Sequence, residues 1–481
     1  MSGSSRARTE GEHKAQWLLK SLLVTGCLIL SLTAASGANG QPKAQEEDGS
    51  NRSPIEYVTD PPYQRVPTAD APAARNTANQ QTFPYTPSQC KTQFGFACYA
   101  PEHIRAAYNV PDDLTGEGQS IAIVVAYGSP TIREDLETFS EAFGLPKPKF
   151  NLFYPGGKRP YKPEQHPAQT SWAAETSLDV QWAHAIAPEA TINLVVAPNS
   201  KGNSINRAQR FVIDNNLGEV MPLSFGAPEG SIRGKGNNLH LRQAHKIYED
   251  AQAGNISVFA AAGDAGAENG YEVPNALFPA SDPLVTAVGG TSLFANDAGE
   301  YRNEIVWNDS DPALCPYGCK LGNTRATGGA PSKIFEAPPY QQALSGMNAR
   351  TTADVGYNAS SYTGVLVYYG FLEEGNGFYF SGGTSAGTPQ WAAIAALANQ
   401  AAGRPLGFLN PTLYRIGADR ARYARAFHDV TVGNNGISSE GFEAKSNYDI
   451  PTGLGTPNVR RLISTLLDEP GATTRREISS E

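Results

Sequence analysis

Two acids and one serine stand where they could do chemistry together. In residues 171–186, Trp172, Glu175, Asp179, Trp182 and Ile186 recur at alternating steps of three and four. On a helix that spacing puts all five on one stripe. A stripe that carries two tryptophans has to be at least half buried, so Glu175 and Asp179 are expected to leave bulk water together. Buried acids are costly unless they are hydrogen-bonded or share a proton. A paired, partly buried dyad whose titrations are pushed apart can serve as a general base. A solvated acidic face is the alternative, and the two tryptophans argue against it. His184 lies off the stripe and reads as structural.

The serine lies in Ser381-Gly-Gly-Thr-Ser-Ala-Gly-Thr-Pro-Gln-Trp391. A Gly-rich turn leads into an Ala-rich helix, read at 388–401, with Ser385 at or near its N-terminus. Free N–H groups and the helix dipole favour negative charge there. Both a serine oxygen turning nucleophilic and a carbonyl turning oxyanion gain from that placement. Gly382 and Gly383 leave room for another chain to approach, and Pro389 is expected in the first helical turn. An ordinary N-cap serine is the competing reading of the turn.

These groups need a scaffold. The chain has 481 residues, 40% of them hydrophobic, with a net charge of −9 and 18% charged residues. That is enough chain for a large core, and no basic excess points to nucleic acid. Short β-branched apolar runs at 120–126, 191–197, 220–223, 257–262 and 284–288 alternate with helical stretches near 170–187 and 238–253. Continuous apolar runs of this length suit a mostly parallel central sheet with helices on both faces, an α/β fold. In such folds ligands sit beyond the carboxyl ends of the strands.

Around that unit, residues 1–38 read as a secretory signal. A basic stretch ends at Lys20, an apolar run covers 22–32, and Ser36-Gly37-Ala38 offers a cleavage site. An uncleaved anchor and lipidation at Cys27 are the alternatives. Residues 39–85 read as a flexible linker or short pro-segment, 86–467 as one catalytic domain and 468–481 as a polar tail. Four cysteines remain after signal cleavage, and local pairing, Cys90–Cys98 and Cys315–Cys319, is expected in an exported chain.

Gly383-Thr-Ser385-Ala-Gly-Thr-Pro389 together with Glu175-x-x-x-Asp179 resembles the sedolisin family, the serine-carboxyl peptidases. Gly263-Asp264-Ala-Gly266, Leu223-Ser-Phe-Gly226, Val288-Gly-Gly-Thr291 and Thr452-Gly-Leu-Gly455 extend the resemblance, which covers about residues 101–466. The nucleophile turn is also similar to that of subtilisins, but those use an Asp and a His, and none of the seven histidines lies in a suitable motif. The resemblance implies a subtilisin-like fold and a secreted or periplasmic acid-acting endopeptidase, a monomer that cuts proteins or peptides. It also implies no stable membrane association after signal cleavage. Ser385 would be the nucleophile, Glu175 the base, Asp179 its partner and Asp264 a protonated oxyanion donor. Leu223, Ser224, Phe225, Gly226 and Gly383 would bind substrate. One structural calcium would be held by Asp429 and Asp449 side chains and by carbonyls of Val430, Lys445 and Asn447. Lys445 and Asn447 depart from the family's small residues. A tripeptidyl exopeptidase and a catalytically silent binding protein are the alternatives. A glycosidase fits poorly, because acids one helical turn apart cannot easily flank a bond from both sides.

Overall fold

The computed structural model describes residues 55–65, 84–232, 234, 238–318, 324–372 and 375–468. The signal sequence, most of 39–85, Cys319 and the tail from 469 lie outside the described residues. Among those described, no helix is long and apolar enough to cross a membrane.

The centre is a twisted eight-stranded sheet. Its strands and the helices between them are, in chain order, β1 (Ser120–Ala126), α1 (Ile132–Phe143), β2 (Lys149–Phe153), α2 (Ala168–Ile186), β3 (Thr191–Ala197), α3 (Gly202–Asp214), β4 (Val220–Leu223), α4 (Leu239–Ala253), β5 (Ser257–Ala261), β6 (Thr286–Ala295), β7 (Tyr301–Val306) and β8 (Val355–Asn358). The spatial order is β7-β6-β5-β4-β1-β3-β2, and β8 also pairs with β6. All pairings are parallel except β6 with β7. The subtilisin-like α/β expectation therefore holds. Residues 121–126 of β1 are buried on both faces of the sheet, as parallel strands between helix layers must be.

A four-stranded second sheet joins Tyr63–Arg65, β10 (Gly377–Ser381), β9 (Thr363–Tyr369) and Ala97–Tyr99. It docks on α2 through side chains. The Gln181 amide donates to Tyr368 O and accepts from Tyr368 N, both at 2.8 Å, and Trp182 Nε1 donates to Leu366 O at 3.0 Å. Thus α2 is enclosed on nearly every side, and all residues from Trp172 to Ile186 are buried. The apolar stripe is real, but the helix has no solvated face opposite it. Cys90 and Cys98 form a disulfide.

Several boundaries differ from the sequence reading. Strand β5 stops at Ala261, and β6 runs on to Ala295. Strand β6 begins at Thr286 rather than Leu284, because Asp282 builds a turn there: its Oδ1 accepts from Leu284 N at 3.0 Å and its carbonyl from Val285 N at 3.1 Å. The serine helix, α5 (Thr384–Ala402), begins four residues earlier than expected. Pro389 is therefore its sixth residue, beyond the first turn. A proline there removes the N–H that would bond Ser385 O. Ser224 Oγ lies 3.5 Å from that carbonyl, but its one proton goes to Asp179 Oδ1 at 2.6 Å, so the carbonyl is left without its helical donor.

Helix α5 lies close against the sheet at Gly387. A Cβ at that position would sit 2.7 Å from Tyr357 Cβ and 3.2 Å from Val288 Cγ1. Alanine gains about 1 kcal/mol of helix propensity over glycine, but overpacking costs ~1–3 kcal/mol, and a Cβ fixed to backbone cannot swing aside. Gly387→Ala is expected to lower the urea midpoint with little change in m-value. A raised midpoint would mean that the helix can shift off the sheet.

Candidate active site

The serine, the acid pair and Asp264 converge at the carboxyl ends of β4 and β5. Ser385 is the second residue of α5, so its N–H belongs to the first turn and has no carbonyl four residues back. Its Oγ donates to Glu175 Oε2 at 2.9 Å. Glu175 and Asp179 have no exposed surface. Burial is the main cause that drives both carboxyls upward, Glu175 well above the usual range and Asp179 to about 7, and the charge of Asp179 adds to the rise at Glu175. Asp179 Oδ1 accepts from Ser224 Oγ at 2.6 Å. Each carboxyl shifts the other's pKa. Glu175 Oε1 and Asp179 Oδ2 are buried and have no hydrogen-bond partner. A proton on either of these orphaned oxygens leaves Oε2 free to accept from the serine.

Asp264 follows β5 and is partly exposed to the cleft. Its Oδ1 accepts from Thr384 N and Thr384 Oγ1, both at 2.8 Å. The Thr384 hydroxyl accepts in turn from Gly263 N at 3.1 Å, which commits its proton to Asp264. With Oδ1 occupied by donors, Oδ2 is the atom that can carry a proton. Desolvation raises this carboxyl, and the nearby Arg325 charge opposes the rise. A Cβ on Gly383 would collide with Asp264 Oδ2, and Gly383 has φ +89°, so this position requires glycine.

Of the candidate substrate-binding residues, Ser224, Phe225 and Gly226 line the same cleft, whereas Leu223 packs in the hydrophobic core. Leu223 and Phe225 are buried, and the Phe225 ring lies 5.6 Å from that of Trp172. Gly226 is paired with the chain's own residue 58. Val58 N donates to Gly226 O at 2.9 Å, and Gly226 N donates to Val58 O at 3.0 Å, an antiparallel bridge. From there residues 59–65 run past the serine. Thr59 Oγ1 donates to Glu175 Oε2, the oxygen that Ser385 uses. Pro62 O accepts from Gly382 N at 3.1 Å, and Tyr63–Arg65 pairs with β10. This strap carries no sequence signature, because 55–65 has neither helical nor strand periodicity of its own and takes its extended form from the two walls it bridges.

The residues proposed for calcium lie apart from the serine. Asp429 Oδ1 accepts from Tyr423 OH at 2.8 Å and from Asn447 N at 3.0 Å. Asp449 Oδ1 accepts from Thr452 N, and Oδ2 from Lys445 N at 3.1 Å. The charge of Asp429 is felt at Asp449, which burial raises to about 7. Asn447 has φ +73°, and its buried Oδ1 has no partner. An all-oxygen set with an orphaned oxygen fits a hard cation. Among the described residues, no group of three His, Cys, Asp or Glu side chains is placed to hold a metal, so a cation bound here would need backbone carbonyls as well.

Residues 169–413, about half of the chain, match the model of the subtilase family. Kumamolisin from a Bacillus species is 33% identical over 382 residues, covering 77% of this chain and 64% of kumamolisin. Tripeptidyl-peptidase sed5 of Aspergillus fumigatus is 36% identical over 227 residues, covering 44% and 38%. The chain thus spans less than two thirds of the length of these curated relatives. A solved Pseudomonas sedolisin, a serine-carboxyl proteinase complexed with pseudo-iodotyrostatin, superposes with a TM-score of 0.67 at 26% identity, covering 77% of this chain and 98% of that one. The chain belongs to the subtilase family and, within it, to the sedolisin-type serine-carboxyl peptidases.

Proposed function

We propose that the protein is an exported, acid-acting serine-carboxyl endopeptidase. The observation that carries this is the 2.9 Å hydrogen bond from Ser385 Oγ to a carboxyl pair wholly removed from water. Ser385 Oγ attacks the scissile carbonyl carbon and passes its proton to Glu175 Oε2, while the carbonyl π electrons move to oxygen. Asp264 Oδ2–H and Ser385 N–H donate to that oxyanion. Glu175 then protonates the leaving nitrogen as the C–N bond breaks, and water reverses the sequence to release the acid product. The charge of Asp179 raises the affinity of Glu175 for that proton.

The strap supports an endopeptidase over a tripeptidyl exopeptidase. It enters along Gly226 and leaves along Ser381, so the groove is open on both sides of the serine. An exopeptidase needs one side closed. The strap must move aside before a substrate can reach Glu175. Residues 1–38 support export. Asp429 and Asp449, with carbonyls of Val430, Lys445 and Asn447, are proposed to hold one calcium, whose contribution is to tie the 429–449 loops together rather than to take part in the reaction.

Ser385→Ala is expected to lower kcat on denatured protein at about pH 4 by roughly 10^4-fold or more, with the circular dichroism spectrum unchanged. Cleavage at the parent rate would reject the nucleophile. The pH dependence has a definite sign. As pH falls, a second proton enters the acid pair and occupies Oε2, which removes the base. As pH rises, Asp264 loses its proton, which removes the donor and puts negative charge where the oxyanion forms. The profile of kcat is therefore expected to be a bell on the acid side. In Asp264→Asn, whose amide donates at every pH, kcat should drop while the alkaline limb flattens. An unchanged alkaline limb would remove Asp264 from the oxyanion role. For the metal, chelation by EGTA should lower Tm by several degrees, and in Asp449→Asn the same treatment should do nothing further. A parent Tm indifferent to EGTA and to added calcium would argue against the site.

A further inference from the structure

We propose that Arg325 is a specificity determinant. It selects an acidic side chain on the bound peptide, two residues C-terminal to the residue that pairs with Gly226. The inference rests on the peptidase reading above and names part of its substrate class.

The strap is the peptide that shows it. Residue 58 exchanges both backbone hydrogen bonds with Gly226, so the register of the extended segment is fixed. The next residue, Thr59, reaches the acid pair. The one after that, Asp60, is clamped by a single guanidinium: Arg325 Nη1 donates to the Asp60 carbonyl at 2.7 Å and Nη2 to Asp60 Oδ2 at 2.6 Å. The fork therefore reads backbone and side chain of one residue at once. The carbonyl contact is open to any peptide, and the second arm is satisfied only by an acceptor at the end of a short side chain.

Arg325 is built into the site rather than draped over it. Its carbonyl accepts from Asp309 N at 2.8 Å. The next residue, Ala326, donates to Asp264 O at 3.2 Å and accepts from Gly266 N at 3.0 Å. The guanidinium is thereby tethered to the loop that carries the candidate oxyanion donor. Two cavities, of about 600 and 380 Å³, meet at Asp60, Thr324 and Arg325, and Arg325 is the one cation among the described residues that line them. The one acid of the cleft wall there is Asp264, which works protonated. When the strap leaves, the Arg325 charge has no carboxylate bonded to it until a substrate brings one.

The size of the preference follows from exposure. The Arg325 side chain is 27% exposed and that of Asp60 68%. A charge-assisted pair half open to water gives a moderate discrimination, about fivefold for Glu over Gln, and a larger one against Lys.

Two measurements on the full-length chain test this. A degenerate peptide library digested at about pH 5, where glutamate is mostly ionised, should show acidic residues enriched at one position near the cut. The enrichment should vanish in Arg325→Gln and turn towards Lys and Arg in Arg325→Glu. Cleavage without that enrichment, or enrichment that survives both substitutions, overturns the proposal while leaving the peptidase reading intact. Hydrogen exchange of residues 55–65 needs no catalysis. Arg325→Glu should speed exchange there by about fivefold, and the charge swap Asp60→Arg with Arg325→Glu should restore protection. If the parent cuts nothing yet the swap restores protection, the peptidase reading fails and the recognition of an acid by Arg325 stands. If the swap fails to restore it, the recognition fails.

Discussion

Everything at this site depends on keeping two carboxyl groups dry. Glu175 and Asp179 have no exposed surface, and an acid in that position stays charged only at great cost unless its lone pairs are filled. The fold meets part of the cost by giving one oxygen of each acid a donor. Ser385 Oγ reaches Glu175 Oε2 and Ser224 Oγ reaches Asp179 Oδ1, while Glu175 Oε1 and Asp179 Oδ2 are left without a partner. The enclosure of α2 by the central sheet, by α5 and by the second sheet is what raises both carboxyls above the usual acid range. It also makes a doubly charged pair costly there.

The second sheet is best understood from that requirement. A helix carrying two acids, Gln181 and His184 in its buried surface cannot rest on an apolar layer alone. The Gln181 amide bonds to both the N–H and the carbonyl of Tyr368, Trp182 bonds to Leu366 O, and the His184 Nε2 lies 3.0 Å from Pro146 O. Burial lowers the His184 pKa to about 4, so the ring stays neutral over most of the pH range. The polar residues of α2 thus divide into those that dock it and the acid pair that faces Ser385.

Much of this was legible in the sequence, for identifiable reasons. The buried parallel strands are short uninterrupted apolar runs, and a run of that kind has few other places to go. The stripe of Trp172, Glu175, Asp179 and Trp182 pointed to paired, dehydrated acids. What local pattern could not supply was anything set by a distant neighbour. Strand β6 starts late because the Asp282 turn uses up Leu284 and Val285. Helix α5 starts early because Gly383, with its positive φ beside Asp264, opens the helix before the alanines begin. Residues 55–65 have no pattern of their own, so their course past Ser385 is fixed by distant partners, among them Gly226, Glu175, Arg325, Gly382 and β10. The role of Asp264 was carried by family resemblance, since Gly-Asp-Ala-Gly alone describes an ordinary turn.

Pro389 leaves the Ser385 carbonyl without its helical donor, and Ser224, whose hydroxyl bonds Asp179, sits 3.5 Å from it. Two positions along the same segment, Gly226 pairs with Val58. One short stretch of backbone, 224–226, therefore touches the serine's peptide unit, one acid of the pair and the strap. A displacement of that stretch by a fraction of an ångström would reach all three at once, with no loop closing.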